Sequence, residues 1–358
     1  MTVSNPTLVR KASKGATGSW SGMRDKELLD TRICDLGLSI KGTRVEKSVN
    51  RLHDELKARN LRLKPHCWLS DDWFSPDGIP GIAIPFYMAH PRLMRLERKE
   101  MLEVEGGTNA WCMRILRHEA GHAIDTAFRL HRRKRYREIF GRYSDPYPDS
   151  YKPKPNSKNY VLHLEPWYAQ SHPSEDFAET FAVWLKPRNK WRTEYKGWKA
   201  LKKLEFIDEL MNEIAGTAPR VRSSAKVDPV SRIKSTLGEH YENRRERYKV
   251  DCEKSFDIEL RKLFPQTPSS HSVCTAAAFL TRNRAELTRM VSHWTGEYRY
   301  NVSQVLREMI DHSRALGLKV FAGPRRRHND EKLKQNALIM LTAHTVKHLH
   351  GGNYRVVM

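Results

Sequence analysis

The chain has 358 residues, and its 64 Lys and Arg against 42 Asp and Glu give a formal net charge of +22. An aromatic content of 9% is too high for a disordered chain, and five scattered cysteines without a CxxC pair exclude a disulfide framework and a cysteine-type zinc site as main features. Because no apolar run approaches the ~20 residues of a membrane span and the N-terminus lacks a secretory signal, we expect a cytoplasmic protein of about two domains without a transmembrane segment.

The N-terminal part predicts a tail, one helix and two strands. Residues 1–22 are polar and are expected to form a flexible tail. Aliphatic residues at helical spacing over 23–60 predict a helix that ends near Asn60. The stretches 61–69 and 79–89 are typical of strands, and the proline within each favours the edge of a sheet.

The middle of the chain predicts two helices on either side of a long loop. The first helix runs from Thr108 or Asn109, either of which can cap it, to about Leu130. Residues 141–174 form the loop, whose length is unusual unless it is functional. Ser174 is predicted to cap the next helix, which a proline stops after about 12 residues.

Composition divides the rest of the chain. An amphipathic helix is predicted over 201–214, and the stretch 215–229 has the Gly, Pro and Ser content of a linker. Residues 230–358 are largely helical by pattern and contain no catalytic motif. We therefore expect one domain over 23–214 and a separate helical C-terminal region over 230–358 whose role the sequence does not reveal.

One motif carries chemistry. His118, Glu119 and His122 form an HExxH pattern inside the first predicted helix. Residues i and i+4 lie on one helix face, so both imidazoles can bind one metal ion while the carboxylate holds a water on it. Catalytic zinc normally takes three protein ligands, so a third must lie elsewhere. A metzincin would place its third histidine at position 128, which is Phe128 here.

The third ligand is predicted on the helix that follows the loop. Glu175 and Glu179 share one face of that helix with Ala178 and Ala182. Two carboxylates beside two small residues suit close approach to another helix and to a metal ion. The alternative is an ordinary exposed acidic face, although the other exposed faces of this chain are mostly basic.

Other assignments of the carboxylates and histidines remain open. Glu179 could exchange roles with Glu175, and His172 could bind the metal or the substrate. Asp125 falls on the same helix face as both histidines of the motif. We predict that it orients those histidines or supports the structure rather than serving as a fourth ligand.

At these residues the chain resembles a known class of enzyme. The run HEAGHAID at 118–125, followed by EDFAETF at 175–181, resembles the gluzincin metallopeptidases. The arrangement is similar to the catalytic domain of anthrax lethal factor. The longer runs around both motifs resemble a bacterial family of zinc-binding metallopeptidases, and the resemblance extends over roughly 60–215.

The resemblance implies the composition of the site. It implies one Zn²⁺ ion held by His118, His122 and Glu175, with Glu119 as the general base. It also implies that Glu179, one turn after the ligand, accepts a hydrogen bond from a ligand histidine, as carboxylates near zinc sites usually do.

The same pattern implies a catalytic tyrosine. Tyr168 stands seven residues before the glutamate ligand, where the family's tyrosine faces the substrate carbonyl and can donate to the developing oxyanion. A packed loop tyrosine is the alternative. The strand predicted over 79–89 is the candidate for holding the substrate by strand addition, although Pro85 would interrupt that ladder.

These observations predict an α+β, zincin-like fold with a small mixed sheet, an active-site helix and a glutamate-ligand helix, followed by the helical C-terminal region. The predicted function is a zinc-dependent metallopeptidase that hydrolyses peptide bonds by Glu-assisted attack of a zinc-bound water.

Basic clusters at 129–137 and 186–203 suggest a positive rim and an acidic polypeptide substrate. Nucleic acid is a less favoured partner. The alternatives are a basic nucleic-acid-binding protein that retains the zincin fold and a zinc amidase acting on a non-peptide amide.

Overall fold

The computed structural model describes residues 19–148, 151, 154, 157–164, 167–247, 256–265, 272–321 and 326–350. The described part is mostly helical with two small two-stranded sheets, which is compatible with the predicted α+β class. Among its helices, none combines the length and the apolar character that crossing a membrane requires.

The N-terminal region begins with ordered structure earlier than predicted. The predicted tail lies outside the described residues up to residue 18, but Ser19–Gly22 forms a 3₁₀ helix. Its Trp20 is buried and donates a hydrogen bond from Nε1 to the Leu36 carbonyl oxygen at 2.9 Å. The indole therefore fixes the start of the described chain to the core.

The helix predicted to end near Asn60 is present as α2 (Arg44–Ala58), but it does not extend back to residue 23, where a separate helix α1 (Asp25–Leu29) forms. Gly37 and Gly42 lie between them with φ angles of 60° and 79°. Such left-handed conformations favour glycine and end a helix. Thr43 then caps α2 by accepting a hydrogen bond from Glu46 N.

The first sheet is smaller than predicted. It pairs β1 (His66–Ser70) with β2 (Gly81–Pro85) in parallel, and a 3₁₀ helix (Phe86–Ala89) follows β2 directly. An antiparallel bridge from Ala83 to Phe74 occupies the other side of β2, which makes the pairing mixed at that point. Because β2 has neighbours on both sides and is buried throughout, its predicted role in substrate strand addition is not supported.

Six helices follow and surround the predicted motif. Their bounds are α3 (Pro91–Met101), α4 (Asn109–Phe128), α5 (Lys134–Phe140), α6 (Pro173–Leu185), α7 (Trp191–Glu194) and α8 (Ala200–Ile214). The helix α4 packs against α6, α2 and β2 and lies at the centre of the first hydrophobic core.

The start of α6 differs from the prediction. His172 rather than Ser174 is the N-cap residue, and its Nδ1 accepts a hydrogen bond from Ser174 N at 3.2 Å. Pro173 occupies the first helical position. A backbone N–H at this position has no acceptor within the helix, so a proline can stand there without cost. The histidine cap therefore begins the helix two residues earlier than expected.

The stretch 215–229 contains no helix or strand and follows the edge of β1. Three side chains of β1 donate to its carbonyl oxygens: His66 to Ala225 at 2.8 Å, Trp68 to Val227 at 2.8 Å and Ser70 to Asp228 at 2.7 Å. The end of the segment, residues 225–228, therefore lies against the first sheet, whereas Arg220 and Val221 donate from their backbone N–H groups to the Ala127 carbonyl oxygen.

The C-terminal part is mainly helical, as the pattern predicts. Its elements are α9 (Leu237–Arg247), α10 (Asp257–Leu263), β3 (Ser272–Thr275), α11 (Ala276–Thr295), α12 (Arg299–Ala315), β4 (Lys319–Phe321) and α13 (Arg326–His350). Leu237 and Tyr241 of α9 belong to the first core, whereas the elements from α10 onward build a second one. Tyr300 at the start of α12 also joins the first core and so connects the two parts.

Candidate metal centre

The two helices that carry the predicted site touch at a glycine. A Cβ atom added to Gly121 of α4 would lie 2.7 Å from Ala178 Cα and 3.1 Å from Ala178 Cβ of α6. Only a residue without a side chain permits this distance, so the glycine within the HExxH motif sets the separation of the helices. The prediction that small residues allow close approach is confirmed by this contact.

The close contact brings three predicted ligands together. His118 Nε2 lies 3.0 Å from Glu175 Oε2, and His122 Nε2 lies 3.2 Å from the same oxygen. The two Nε2 atoms are 3.1 Å apart. Within the described residues, His118, His122 and Glu175 form the group of side chains that could hold a metal ion.

The three donor atoms fit a small tetrahedral ion. A zinc ion with bonds of about 2.1 Å separates neighbouring ligand atoms by about 3.4 Å, which is close to the 3.0–3.2 Å found here. Two imidazole nitrogens and one carboxylate oxygen also match a ligand set used by catalytic zinc sites. Ligand type and spacing therefore both suit zinc.

Protonation of the cluster and metal binding are linked. Burial alone would lower the pKa of His118, but hydrogen bonds to Glu175 and Glu179 raise it well above its ordinary value. Burial alone would raise the pKa of Glu175, but His122 and His118 lower it well below its ordinary value. Because imidazoles bind metals through an unprotonated nitrogen, metal binding must release protons from this cluster.

Glu179 contacts the far side of a candidate ligand. Its Oε1 lies 2.8 Å from His118 Nδ1, and its Oε2 accepts a hydrogen bond from Leu164 N at 2.7 Å. The side chain is fully buried. Both oxygens are engaged away from the metal cluster, so Glu175 rather than Glu179 stands in the ligand position and Glu179 fixes the orientation of the His118 ring.

Two other predicted residues lie apart from the metal position. Asp125 Oδ1 accepts hydrogen bonds from the backbone N–H of His131 at 2.7 Å and from the His131 ring at 2.9 Å. In the described structure its bonds go to His131 and not to the motif histidines, so it supports the turn after α4. His172 Nε2 donates to the Asp145 carbonyl oxygen at 2.8 Å while its Nδ1 caps α6, which leaves neither nitrogen for a metal.

The structure adds a tyrosine that the sequence did not single out. The hydroxyl of Tyr147 donates to Glu175 Oε1 at 2.8 Å and also contacts the Ser174 hydroxyl. Its ring stacks on His172 with the ring centroids 3.9 Å apart. Tyr147 lies in the long loop and has no fixed spacing to either motif, so only the fold reveals that it holds the free oxygen of the candidate ligand.

Tyr168 lies beside the three candidate metal ligands. Its ring centroid is 5.5 Å from that of His118, and burial raises the pKa of its phenol well above its ordinary value. The hydroxyl therefore keeps its proton at neutral pH and can act as a hydrogen-bond donor.

Glu119 is buried beside the cluster, and one oxygen of its carboxylate, Oε2, lacks a hydrogen-bond partner among the described residues. Burial raises the pKa of this carboxyl group, while the positive charges of His118 and His122 lower it in part. Buried polar atoms are normally bonded, so the free oxygen indicates a place for a water or a substrate group.

A cleft of about 1060 Å³ opens next to these side chains. Its lining includes His118, Glu119 and Tyr168, so the candidate centre faces an open space large enough for a peptide segment. The C-terminal helices α11 and α12 also contribute to its lining.

The basic clusters at 129–137 and 186–203 are not among the residues that line this cleft. Several of their side chains are instead paired with acids on other elements. The pairs are Arg133 with Glu213, Arg135 with Glu209, Arg192 with Asp208 and Lys203 with Asp176. Neither cluster therefore lines the cleft itself, and the acidic polypeptide substrate stays a prediction.

Residues 110–226 match the model of a protein family described as "Putative zinc-binding metallo-peptidase". The matched segment contains all of the candidate metal centre, from α4 through α6. Searches of curated proteins and of solved structures gave no match. The chain is thus similar to a zinc-binding metallopeptidase family over the part that carries the candidate ligands, which supports a hydrolase role.

Proposed function

We propose that this protein is a zinc-dependent metallopeptidase of the gluzincin type, with one zinc ion bound by His118, His122 and Glu175. The observation that carries the proposal is the spacing of 3.0–3.2 Å among three donor atoms beside an open cleft. The family match over the same segment supports it independently.

The chemistry needs a metal and a base. Zinc, when bound, supplies a Lewis acid that lowers the pKa of a water molecule towards about 7 and polarises a carbonyl. In the proposed reaction Glu119 accepts the proton of the attacking water and then gives it to the leaving amine. The unsatisfied Oε2 of this buried carboxylate supports that role, since it has no structural bond to lose.

Three neighbours position the reacting groups. Glu179 fixes the ring of His118 through the 2.8 Å contact, and Tyr147 holds the second oxygen of Glu175. Tyr168 is our candidate donor to the oxyanion of the peptide carbonyl, because its phenol stays protonated and lines the cleft.

The proposal is tested with zinc-loaded wild type and Glu119→Gln on a library of proteome-derived peptides. We expect the variant to bind zinc normally and to lose at least about 10²-fold in the rate of hydrolysis, since general acid–base catalysis contributes on that order. Glu138→Gln is the matched control, because Glu138 is exposed on α5 and forms only a 3.8 Å contact with Lys134.

Hydrolysis by Glu119→Gln at the wild-type rate would contradict the proposal. So would a wild type that holds zinc and cleaves non-peptide amides but no peptide, since that result would favour the amidase alternative. A gel-shift assay with random nucleic acid tests the remaining alternative, a nucleic-acid-binding protein. We expect no nucleic-acid binding that competes with the binding of peptide.

A further inference from the structure

Part of the cleft beside the candidate metal centre is built by the C-terminal helices. This part lies where α11 ends and α12 begins, over residues 289–299, which we call the α11–α12 corner. Arg289, Trp294 and Arg299 of this corner line the same cleft as His118. The corner and the candidate metal centre therefore border one cleft.

The corner is an ordered element of the fold. Gly296 ends α11 in the left-handed conformation with a φ of 72°. The Ser292 hydroxyl donates to the Glu297 carbonyl oxygen at 2.7 Å, and the Asn301 amide donates to Glu297 Oε1 at 2.5 Å. Tyr300 is only 6% exposed and packs in the first hydrophobic core. The corner is thus held in place relative to the metal centre.

Three side chains of the corner are available to a ligand. Trp294 is 77% exposed, the most exposed of the large apolar side chains among the described residues, and its ring touches that of the neighbouring His293. Arg289 is exposed and Arg299 is half-buried, and neither forms an ion pair with any residue of the described chain. The lining of the cleft thus offers an exposed indole and two unpaired guanidinium groups to a ligand.

The cleft has other charges besides those of the corner. Arg244 also lines the cleft, but its charge is taken up by Glu97 at 2.8 Å. Arg114 and Arg247 line it as well. Burial raises the pKa of the lining acid Glu105 to about 8, which weakens the repulsion of an anion at neutral pH. A carboxylate that enters the cleft is therefore attracted by its arginines, which include the two of the corner.

We propose that the α11–α12 corner is the specificity wall of the enzyme, where Arg289 and Arg299 bind a carboxylate of the substrate peptide and Trp294 packs on an adjacent apolar side chain. This inference rests on the proposed peptidase function and names its substrate class. Arginine suits the task because its planar group binds carboxylates through two parallel hydrogen bonds. The carboxylate is either that of an Asp or Glu side chain or the C-terminal carboxylate of the peptide.

The test uses the full zinc-loaded chain and a peptide that the wild type cleaves. Four versions of that peptide are compared by kcat/KM, with Glu or Gln at the position nearest the cleaved bond, each with a free or an amidated C-terminus. The protein variants are Arg289→Ala/Arg299→Ala and Trp294→Ala. Arg307→Ala is the control, since Arg307 is an exposed residue of α12 that does not line the cleft.

We expect the wild type and the control to prefer one kind of carboxylate by at least about tenfold, as a charge-assisted hydrogen bond predicts. Loss of the preference on Glu-to-Gln exchange identifies a side-chain carboxylate, and loss on amidation identifies the C-terminus. The double arginine variant should show no preference at an unchanged zinc content, and Trp294→Ala should raise KM more than it lowers kcat. An unchanged preference in the double variant, or no preference in the wild type, would overturn the inference.

A binding experiment separates this inference from the proposed function. Fluorescence anisotropy of labelled acidic and amidated peptides is measured with Glu119→Gln protein, with and without the arginine substitutions. Carboxylate-dependent binding that needs the two arginines supports the corner even if the wild type cleaves no peptide. Cleavage by the wild type together with arginine-independent binding refutes the corner and leaves the peptidase function standing.

Discussion

Substituting Gly121 by alanine tests whether the contact between α4 and α6 builds the metal centre. The added Cβ would lie 2.7 Å from Ala178 Cα, and an ordinary contact needs at least 3.4 Å, so the helices must separate by about 0.7 Å. Glu175 lies on α6 and both histidines lie on α4, so this movement acts directly on the spacing of the ligands.

The substitution should affect both folding and zinc binding. Overpacking costs about 1–3 kcal/mol, but alanine gains about 1 kcal/mol over glycine in a helix, so the metal-free protein should lose only about 0–2 kcal/mol. The distances from Glu175 to the two histidines, 3.0 and 3.2 Å, would grow to about 3.7–3.9 Å, beyond the roughly 3.4 Å that a tetrahedral ion prefers. Zinc affinity should therefore fall by at least about tenfold.

Two measurements on one preparation compare these effects. Zinc affinity is measured by competition with a chromophoric chelator, and the free energy of unfolding is measured by urea denaturation of the metal-free protein. The double variant Gly121→Ala/Ala178→Gly removes the 3.1 Å clash with Ala178 Cβ but leaves the 2.7 Å clash with Cα. It should recover only part of the affinity.

A Gly121→Ala variant that binds zinc as tightly as the wild type would refute this reasoning.

Other predictions concern the residues around the centre. Glu179→Ala should lower zinc affinity by about 10–100-fold in the chelator assay, since it frees the His118 ring; unchanged affinity would contradict its orienting role. Burial lowers the pKa of His163 to about 4, and its Nε2 donates to the Arg114 carbonyl oxygen. Because this folded-state pKa lies below the unfolded value of 6.5, the folded protein loses about 3 kcal/mol of stability as the pH falls from 6.5 to 4. Urea denaturation of His163→Gln at pH 7 and pH 5 should show a smaller pH dependence than the wild type, and an equal one would refute this origin.

The helical part of the candidate centre could be predicted from the sequence because its pattern is local. The 3.6-residue period alone places His118 and His122 on one face, and the same period places Glu175 and Glu179 together on the next helix. The start of α4 follows from Thr108, one of the two predicted caps. These features depend on residues within a few turns of each other.

The parts that the sequence did not reveal depend on contacts between distant segments. Tyr147 reaches Glu175 only because the loop folds back over the start of α6. Trp294 reaches the cleft because Tyr300 packs in the first core. Tyr300 lies more than 170 residues after the end of α4 along the chain. Asp125 shares a helix face with the histidines, but the turn after α4 brings His131 to it first. No spacing rule encodes such encounters.

The central claim is that His118, His122 and Glu175 bind one zinc ion. The most direct test is an equilibrium zinc titration of the metal-free protein, with wild type, Glu119→Gln and Glu175→Gln measured side by side. We predict one equivalent of tightly bound zinc for wild type and Glu119→Gln and a large loss of affinity for Glu175→Gln, which removes one of the three ligands. A wild type that binds no stoichiometric zinc, or a Glu175→Gln variant that binds it as tightly as the wild type, would contradict the account.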